Sequence, residues 1–265
     1  MPCEMAFGLY VHFPFCRNKC SYCDFYKEKH NAHLEREFYH ALRIETELAA
    51  EHPFVQQNRV TTIFIGGGTP NLTNLELFAD WLGHLRRYVD VAESIEFTVE
   101  CNPEAVTLES LESLRHLGVN RPVFGVQSFN TRLLKILDRR HNPHDSQRAV
   151  YYTNALGFKN WGVDSIFGLP GQTAKMLSAD LDQLLDLAPP HISFYQLTVE
   201  EGTPLWHRVK RGKVRMPDQE LTLALYRGGV ERMTERGYNR YEVSSFAKPG
   251  FECKHNLGYW DGTSF

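Results

Sequence analysis

Six short apolar runs, rich in β-branched and aromatic residues, alternate along the chain with helix-forming stretches, and each run is followed by turn residues. The runs cover 8–12, 60–65, 95–99, 123–126, 161–166 and 192–197. Helical patterns fill 34–51, 75–88 and 108–117, the first of them rich in Leu, Ala, Glu and Arg. Thr107 and Gly118 bracket the third as an N-cap and a C′ glycine would. Leu177, Leu181, Leu184 and Leu185 make a further apolar stripe at helical spacing behind Thr173. Strands that alternate with helices are joined by crossovers, which gives a parallel sheet. The expected class is therefore α/β, and six units predict a partial (β/α)6 TIM-like barrel rather than an eightfold one. Functional groups in such folds gather at the C-terminal ends of the strands.

The chain has 265 residues, 42% hydrophobic and 23% charged, with a formal net charge of −3. That balance is ordinary for a globular protein and argues against wholesale disorder. A dedicated nucleic-acid binder carries a basic excess, so no nucleic acid is expected as a partner. No apolar run has the length of a membrane helix, and Met1-Pro2-Cys3-Glu4 lacks the basic and apolar segments of a signal peptide. A reducing, cytoplasmic setting follows as the expectation. Of six cysteines, Cys16, Cys20 and Cys23 are clustered while Cys3, Cys101 and Cys253 are scattered. Clustering of this kind points to metal or redox chemistry rather than to a disulfide framework.

The first strand leads into Cys16-x3-Cys20-x2-Cys23, a loop able to direct three thiolates at one centre. Three cysteines on a 4Fe–4S cluster leave one iron open to another ligand; a zinc site completed by His12 or His30 is the alternative. The second strand is followed by Gly66-Gly67-Gly68-Thr69-Pro70, which lacks the Gly-Lys-Ser/Thr of a P-loop and reads equally as a tight turn or a ligand loop. Glu100 ends the third strand, Gln127 the fourth, and Asp164 lies near the end of the fifth. They are either solvated rim residues or one wall of a polar cleft over the barrel mouth.

Together these residues resemble the radical S-adenosylmethionine (SAM) superfamily, whose signature is the three-cysteine loop after a Tyr-x-His-x-Pro-Phe lead-in. Gly66 to Pro70, Glu100-Cys101-Asn102-Pro103, Gly125 to Phe129, Asp164 to Gln172 and Tyr241 to Ala247 follow in order. The set is similar to the oxygen-independent coproporphyrinogen III oxidase group over 7–260. The decarboxylating oxidases of that group have a longer N-terminal arm and a further cysteine two positions after the third. Here that position is Phe25, and nine residues precede Tyr10. Phe25 and the His255-Asn256-Leu257-Gly258-Tyr259-Trp260 element place the resemblance with the heme chaperone branch. Relatives continue into a small C-terminal domain, so the chain is expected to be a truncated form. On that expectation 1–210 is the partial barrel, and 211–265 begins a post-barrel helix/strand extension toward the absent domain.

The resemblance implies a 4Fe–4S cluster on Cys16, Cys20 and Cys23, with SAM chelated by the open iron. Tyr22 would lie against the adenine, Tyr10 and Gly67 would line the SAM pocket, and Glu100 would accept hydrogen bonds from the cofactor. Gly68, Thr69, Gln127, Arg139 and Asp164 would face a second ligand pocket or the far side of the SAM site. His255 would serve heme, for which histidine is a good axial ligand. The implied chemistry is reductive cleavage of SAM, and the implied task is heme delivery. The partners would be heme or porphyrin, an electron donor such as a flavodoxin or ferredoxin, and a respiratory heme acceptor met at the membrane. Oxidative decarboxylation of coproporphyrinogen III is the competing activity, and a zinc-stabilised binding module the third reading. Four positions depart from the pattern: Asp138 where glycine usually precedes Arg139, Pro122 and Ser165 where apolar residues are usual, and Ser245 where asparagine is common.

Overall fold

The structure is a computed structural model that describes residues 6–262, so Cys3 lies outside the described residues. Six strands run parallel and pair in chain order: β1 (Ala6–Phe13), β2 (Arg59–Gly67), β3 (Val91–Cys101), β4 (Arg121–Gln127), β5 (Gly162–Phe167) and β6 (His191–Gln196). Two short strands, β7 (Asn239–Arg240) and β8 (Ser245–Ala247), extend the far edge: β8 pairs antiparallel with β6, and β7 with β8. Among the described residues the other edge of β1 has no strand partner, and the barrel is not closed.

The main helices are α1 (Ala32–Ala50), α2 (Leu75–Tyr88), α3 (Leu108–His116), α4 (Pro143–Ala155), α5 (Ala174–Asp186), α6 (Gln219–Glu235) and α7 (Lys254–Asp261). Their starts are chemically marked. Asn31, Asn74, Thr107, Asn142, Thr173 and Asp218 each accept a hydrogen bond from a first-turn backbone N–H, satisfying donors that the helix itself leaves over. The start of α7 is held differently. The Glu96 carboxylate accepts from Cys253 Sγ at 3.3 Å and from the backbone N–H groups of Lys254 and His255, each at 3.1 Å.

Alternation along the strands separates two environments. Phe97, Phe124, Val163, Ile192 and Phe194 are fully buried in the apolar core. The alternate positions Thr98, Glu100, Arg121, Asp164 and Ser193 carry polar groups into the barrel interior. All seven residues of β4 are buried, as expected for a central strand covered on both faces.

The observed strands overlap all six expected runs, and the fifth begins at Gly162 rather than Trp161. No sequence pattern marks α4, and the expected post-barrel helix/strand extension over 211–265 gives no bounds for α6, α7 or the antiparallel β8. One departure from the family pattern has a backbone meaning: Asp138 adopts φ +56, the left-handed region that favours glycine.

Candidate cofactor pocket

The cysteine loop is clamped at its ends. Phe15–Cys16 and Glu28–Lys29 form a two-strand parallel ladder, with Glu28 N donating to Pro14 O at 2.7 Å and His30 N to Cys16 O at 2.9 Å. Within the loop Cys23 N donates to Cys20 O at 3.4 Å, closing a turn, and Ser21 N donates to Leu137 O at 3.2 Å. The glycine turn after β2 docks directly on the start of this loop. Gly68 N donates to Phe13 O at 2.7 Å and Thr69 N to Phe15 O at 2.9 Å. A Cβ on Gly68 would stand 2.7 Å from Phe15 O and 2.8 Å from Phe13 O, so only glycine lets the two segments meet. Gly67 has φ +106, and a Cβ there would come within 2.6 Å of the His12 ring.

Above the C-terminal ends of the strands opens a cavity of about 350 Å³. Cys16, Cys20 and Cys23 form one side, with Tyr22 beside them. Gly67, Gly68 and Thr69 form the next, and Glu100, Gln127, Arg139 and Asp164 complete it. Eleven of the thirteen residues singled out in the sequence thus share one cavity. The three thiols are free. Thr69 Oγ1 donates to Cys16 Sγ at 3.5 Å and Arg139 Nη1 to Cys20 Sγ at 3.7 Å. Asn102 bridges these two donors: its Oδ1 accepts from Arg139 Nη2 at 2.8 Å, and its Nδ2 donates to Thr69 Oγ1 at 3.0 Å. Burial pushes the Cys16 and Cys20 thiols up; the Thr69 hydroxyl opposes this at Cys16, and the Arg139 guanidinium at Cys20. Burial likewise raises the Tyr22 phenol.

The two carboxyls of the cavity are both held up. Burial, with Asp164 adding to it, pushes Glu100 up to about 8, against the pull of Gly67 N–H and Arg121. Burial pushes Asp164 up to about 6, against Ser193, Arg121 and Arg139. Gln127 has φ +66, a strained conformation for a residue with a side chain. Its Oε1 accepts from Tyr195 Oη at 3.0 Å. The turn behind it is fixed by buried Asp180, which accepts from Phe129 N at 3.0 Å and from the Ser128 hydroxyl. Asn102, Tyr195 and Asp180 were not assigned roles from the sequence. Asn102 sits in a quoted motif, whereas the other two lie inside an apolar run and a helical stripe that hide them.

The donor set fits a cluster better than a single ion. Among the described residues no three His, Cys, Asp or Glu side chains close around one metal centre. The histidines suggested to complete a zinc site are engaged elsewhere. His12 Nε2 pairs with Tyr26 O at 2.8 Å and its Nδ1 with Tyr10 Oη at 3.1 Å, while His30 Nε2 pairs with Glu35 at 2.9 Å. Three free thiols on one wall, with open space in front of them, suit a cluster bound through three of its irons.

Tyr10 and His255 do not reach this cavity. Both line a second one of about 260 Å³ inside the barrel, and Glu100 and Asp164 stand in the wall the two cavities share. His255 is 3% exposed. Its Nδ1 pairs with Thr62 Oγ1 at 2.8 Å and its Nε2 with Tyr259 Oη at 3.2 Å, and its ring lies 5.3 Å from that of Phe64. The histidine expected to meet heme is thus packed and engaged at both nitrogens.

Residues 10–184 match the family model of the radical SAM superfamily. The heme chaperone HemW of Haemophilus influenzae is 37% identical over 98% of this chain and 68% of its own length. HemW of Mycobacterium tuberculosis is 38% identical over 97% of this chain and 66% of its own length. Among solved structures, the coproporphyrinogen III oxidase HemN of Escherichia coli, a radical SAM enzyme, superposes with a TM-score of 0.81 at 25% identity, covering 98% of this chain and 59% of that one. The chain spans about two thirds of the length of the curated relatives it matches.

Proposed function

Because the chain belongs to the radical SAM superfamily, and within it to the family of the heme chaperone HemW, we propose that it carries a 4Fe–4S cluster on Cys16, Cys20 and Cys23, binds SAM beside it, and holds heme for delivery to an acceptor. The observation that carries this reading is the convergence of three free thiols, a close-packed glycine turn, three polar strand residues and Arg139 on one cavity.

Each residue has a task that its chemistry suits. Tyr22 offers an aromatic face to a flat base. Backbone at Gly67 and Gly68 allows a ligand to approach closely. Glu100 accepts from hydroxyl or ammonium donors when ionised and donates when protonated. Gln127, Arg139 and Asp164 hold the far side. Cys16, Cys20 and Cys23 would hold the cluster, which when bound and reduced would supply the electron for reductive cleavage of SAM. The protein's part is to orient the two cofactors and exclude water, and the electron is proposed to come from a flavodoxin or ferredoxin.

Heme handling is preferred over porphyrinogen oxidation because Phe25 stands where the decarboxylating branch has its further cysteine, and because the curated relatives quoted above are heme chaperones. His255 is proposed as the heme ligand, a role that requires it to leave Thr62 or Tyr259. No helix of the described residues is long and apolar enough to cross a membrane; a membrane-bound respiratory acceptor would be met peripherally.

Anaerobic reconstitution tests the reading. The expected result is iron and sulfide in the ratio of a 4Fe–4S cluster, a reduced-state EPR signal that changes on adding SAM, and hemin binding weakened by His255→Ala. Conversion of coproporphyrinogen III to protoporphyrinogen IX would favour the oxidase reading. Zinc in place of iron and sulfide would overturn both.

A further inference from the structure

The second cavity contains a buried cation that the cysteine pocket does not use. Arg121, the first residue of β4, is 1% exposed. Its Nη1 donates to Thr98 Oγ1 at 3.4 Å, and its Nε has no partner. Among the described residues no carboxylate oxygen comes within 4.0 Å of its guanidinium. Glu100 and Asp164, in the same cavity wall, feel this charge without forming an ion pair with it, so the guanidinium fork is left open to an anion in direct contact.

His191 begins β6 and is 3% exposed. Its proton can be placed from its partners. Tyr241 Oη accepts from Cys253 N at 3.3 Å and from Asn256 Nδ2 at 3.2 Å. The hydroxyl proton of Tyr241 is therefore left to donate to His191 Nε2, 2.8 Å away. Burial, with Arg121 adding to it, keeps the ring neutral. A neutral ring that accepts at Nε2 carries its proton on Nδ1, and that N–H has no partner.

Gly162 lies between the two donors. A Cβ at that position would stand 3.3 Å from His191 Nδ1 and 3.6 Å from Arg121 Nη2. Arg121 Nη2 and His191 Nδ1 thus both border one point, which is clear of side-chain atoms because the residue is glycine. Ser193 and Ser245 add hydroxyls to the wall. The cavity reaches solvent beside Tyr10 and Tyr259, which are 43% and 52% exposed, on the open side of the barrel.

We propose that the barrel interior holds a carboxylate-binding site in which Arg121 is the clamp and His191 the second donor. A planar carboxylate matches a guanidinium fork with its two oxygens and keeps a second lone pair on one of them for the imidazole N–H. The cavity, about 260 Å³, admits a short aliphatic acid or the acidic arm of a larger molecule held at the mouth. The carboxylate has two sources: a free short-chain acid, or a propionate side chain of a tetrapyrrole. The second rests on the heme reading above; the first does not.

The test uses the full chain, with propionate as the probe in calorimetry, and with hemin and hemin dimethyl ester compared by absorbance titration. Propionate is expected to bind wild type and to bind Arg121→Gln at least tenfold more weakly. Gly162→Ala gives an independent variant that leaves both donors in place. Its added methyl projects between them and should also weaken propionate at least tenfold. If the tetrapyrrole is the source, hemin binds wild type at least tenfold better than its ester, and Arg121→Gln removes the difference. If hemin and ester bind alike while propionate binds, the source is a free acid. If the chain takes up no hemin but still binds propionate, the heme reading fails and the carboxylate site stands. Failure of propionate to bind wild type, with hemin and ester indistinguishable, overturns the proposal, as does equal propionate affinity in folded Arg121→Gln or Gly162→Ala protein. Cluster content measured on the same samples reports separately on the cysteine pocket.

Discussion

The backbone N–H of Gly67 donates to Glu100 Oε2 at 3.1 Å, tying the glycine turn after β2 to the end of β3. The bond favours the ionised carboxylate, yet burial and Asp164 outweigh it, and Glu100 takes up its proton near pH 8 rather than near 4.5. The turn that docks the cysteine loop is therefore joined to a carboxyl that is mostly protonated at neutral pH.

That shift fixes the sign of a stability effect. The folded chain holds the Glu100 proton more tightly than the unfolded chain does. Its contribution is fully present below about pH 4.5 and is lost as pH rises through about 8. The melting temperature of the cofactor-free chain is expected to fall across that window. Glu100→Gln should flatten the profile, leaving the part due to Asp164, which acts in the same direction up to about pH 6. Thermal melts of both proteins across the window check this; parallel slopes would refute it.

Gly68→Ala is expected to destabilise the chain by about 2 kcal/mol, the scale of overpacking against a rigid neighbour. The added methyl would meet the backbone oxygens of Phe13 and Phe15, which carry the cysteine loop. Urea denaturation reads the loss, and iron uptake should fall with it because Cys16 follows Phe15 directly. A variant as stable as wild type would show that the two segments separate at no cost.

Asp180→Ala removes the acceptor of the Ser128 hydroxyl and the Phe129 N–H, both in a buried turn. A loss of about 2 kcal/mol is expected, that of buried donors left without partners. Gln127, no longer held at φ +66, should lose its bond to Tyr195. Chemical denaturation measures the first effect; a structure of the variant shows the second.

Asp138→Gly works in the opposite direction. At φ +56 the aspartate bears a steric penalty that glycine lacks, partly offset by the greater freedom of glycine in the unfolded chain. The expected gain is up to about 1 kcal/mol. The ion pair to Arg208 is stretched to 4.0 Å and half exposed, so its loss should matter little. A shift of the denaturation midpoint to lower urea would contradict this.

Much of this architecture is legible in local patterns. Short apolar runs closed by turns place the six parallel strands, and the rule that function gathers at strand ends leads from Cys16, Gly67, Glu100 and Gln127 to one cavity. What escapes local reading is set by curvature and by long-range pairing. Arg121 and His191 open their strands just ahead of the apolar runs, and only the packing of neighbouring strands brings both beside Gly162. The antiparallel strand Ser245–Ala247 is three residues long, too short to carry an alternation signal. His255 carries a recognisable motif, but its burial depends on Thr62, 193 positions away. Asp138 is the converse case: its departure from a familiar pattern is visible in the sequence, and its cost appears only in the backbone angle.

The Glu96 carboxylate that gathers Cys253, Lys254 and His255 also sets an order of assembly. Every residue lining the cysteine cavity lies between Cys16 and Glu200, whereas the interior cavity takes walls from Tyr10 and from Tyr259. On the ribosome, the part of the chain that lines the cysteine pocket is made before the helix bolted by Glu96. The inner chamber is thus the later of the two to gain its full set of walls.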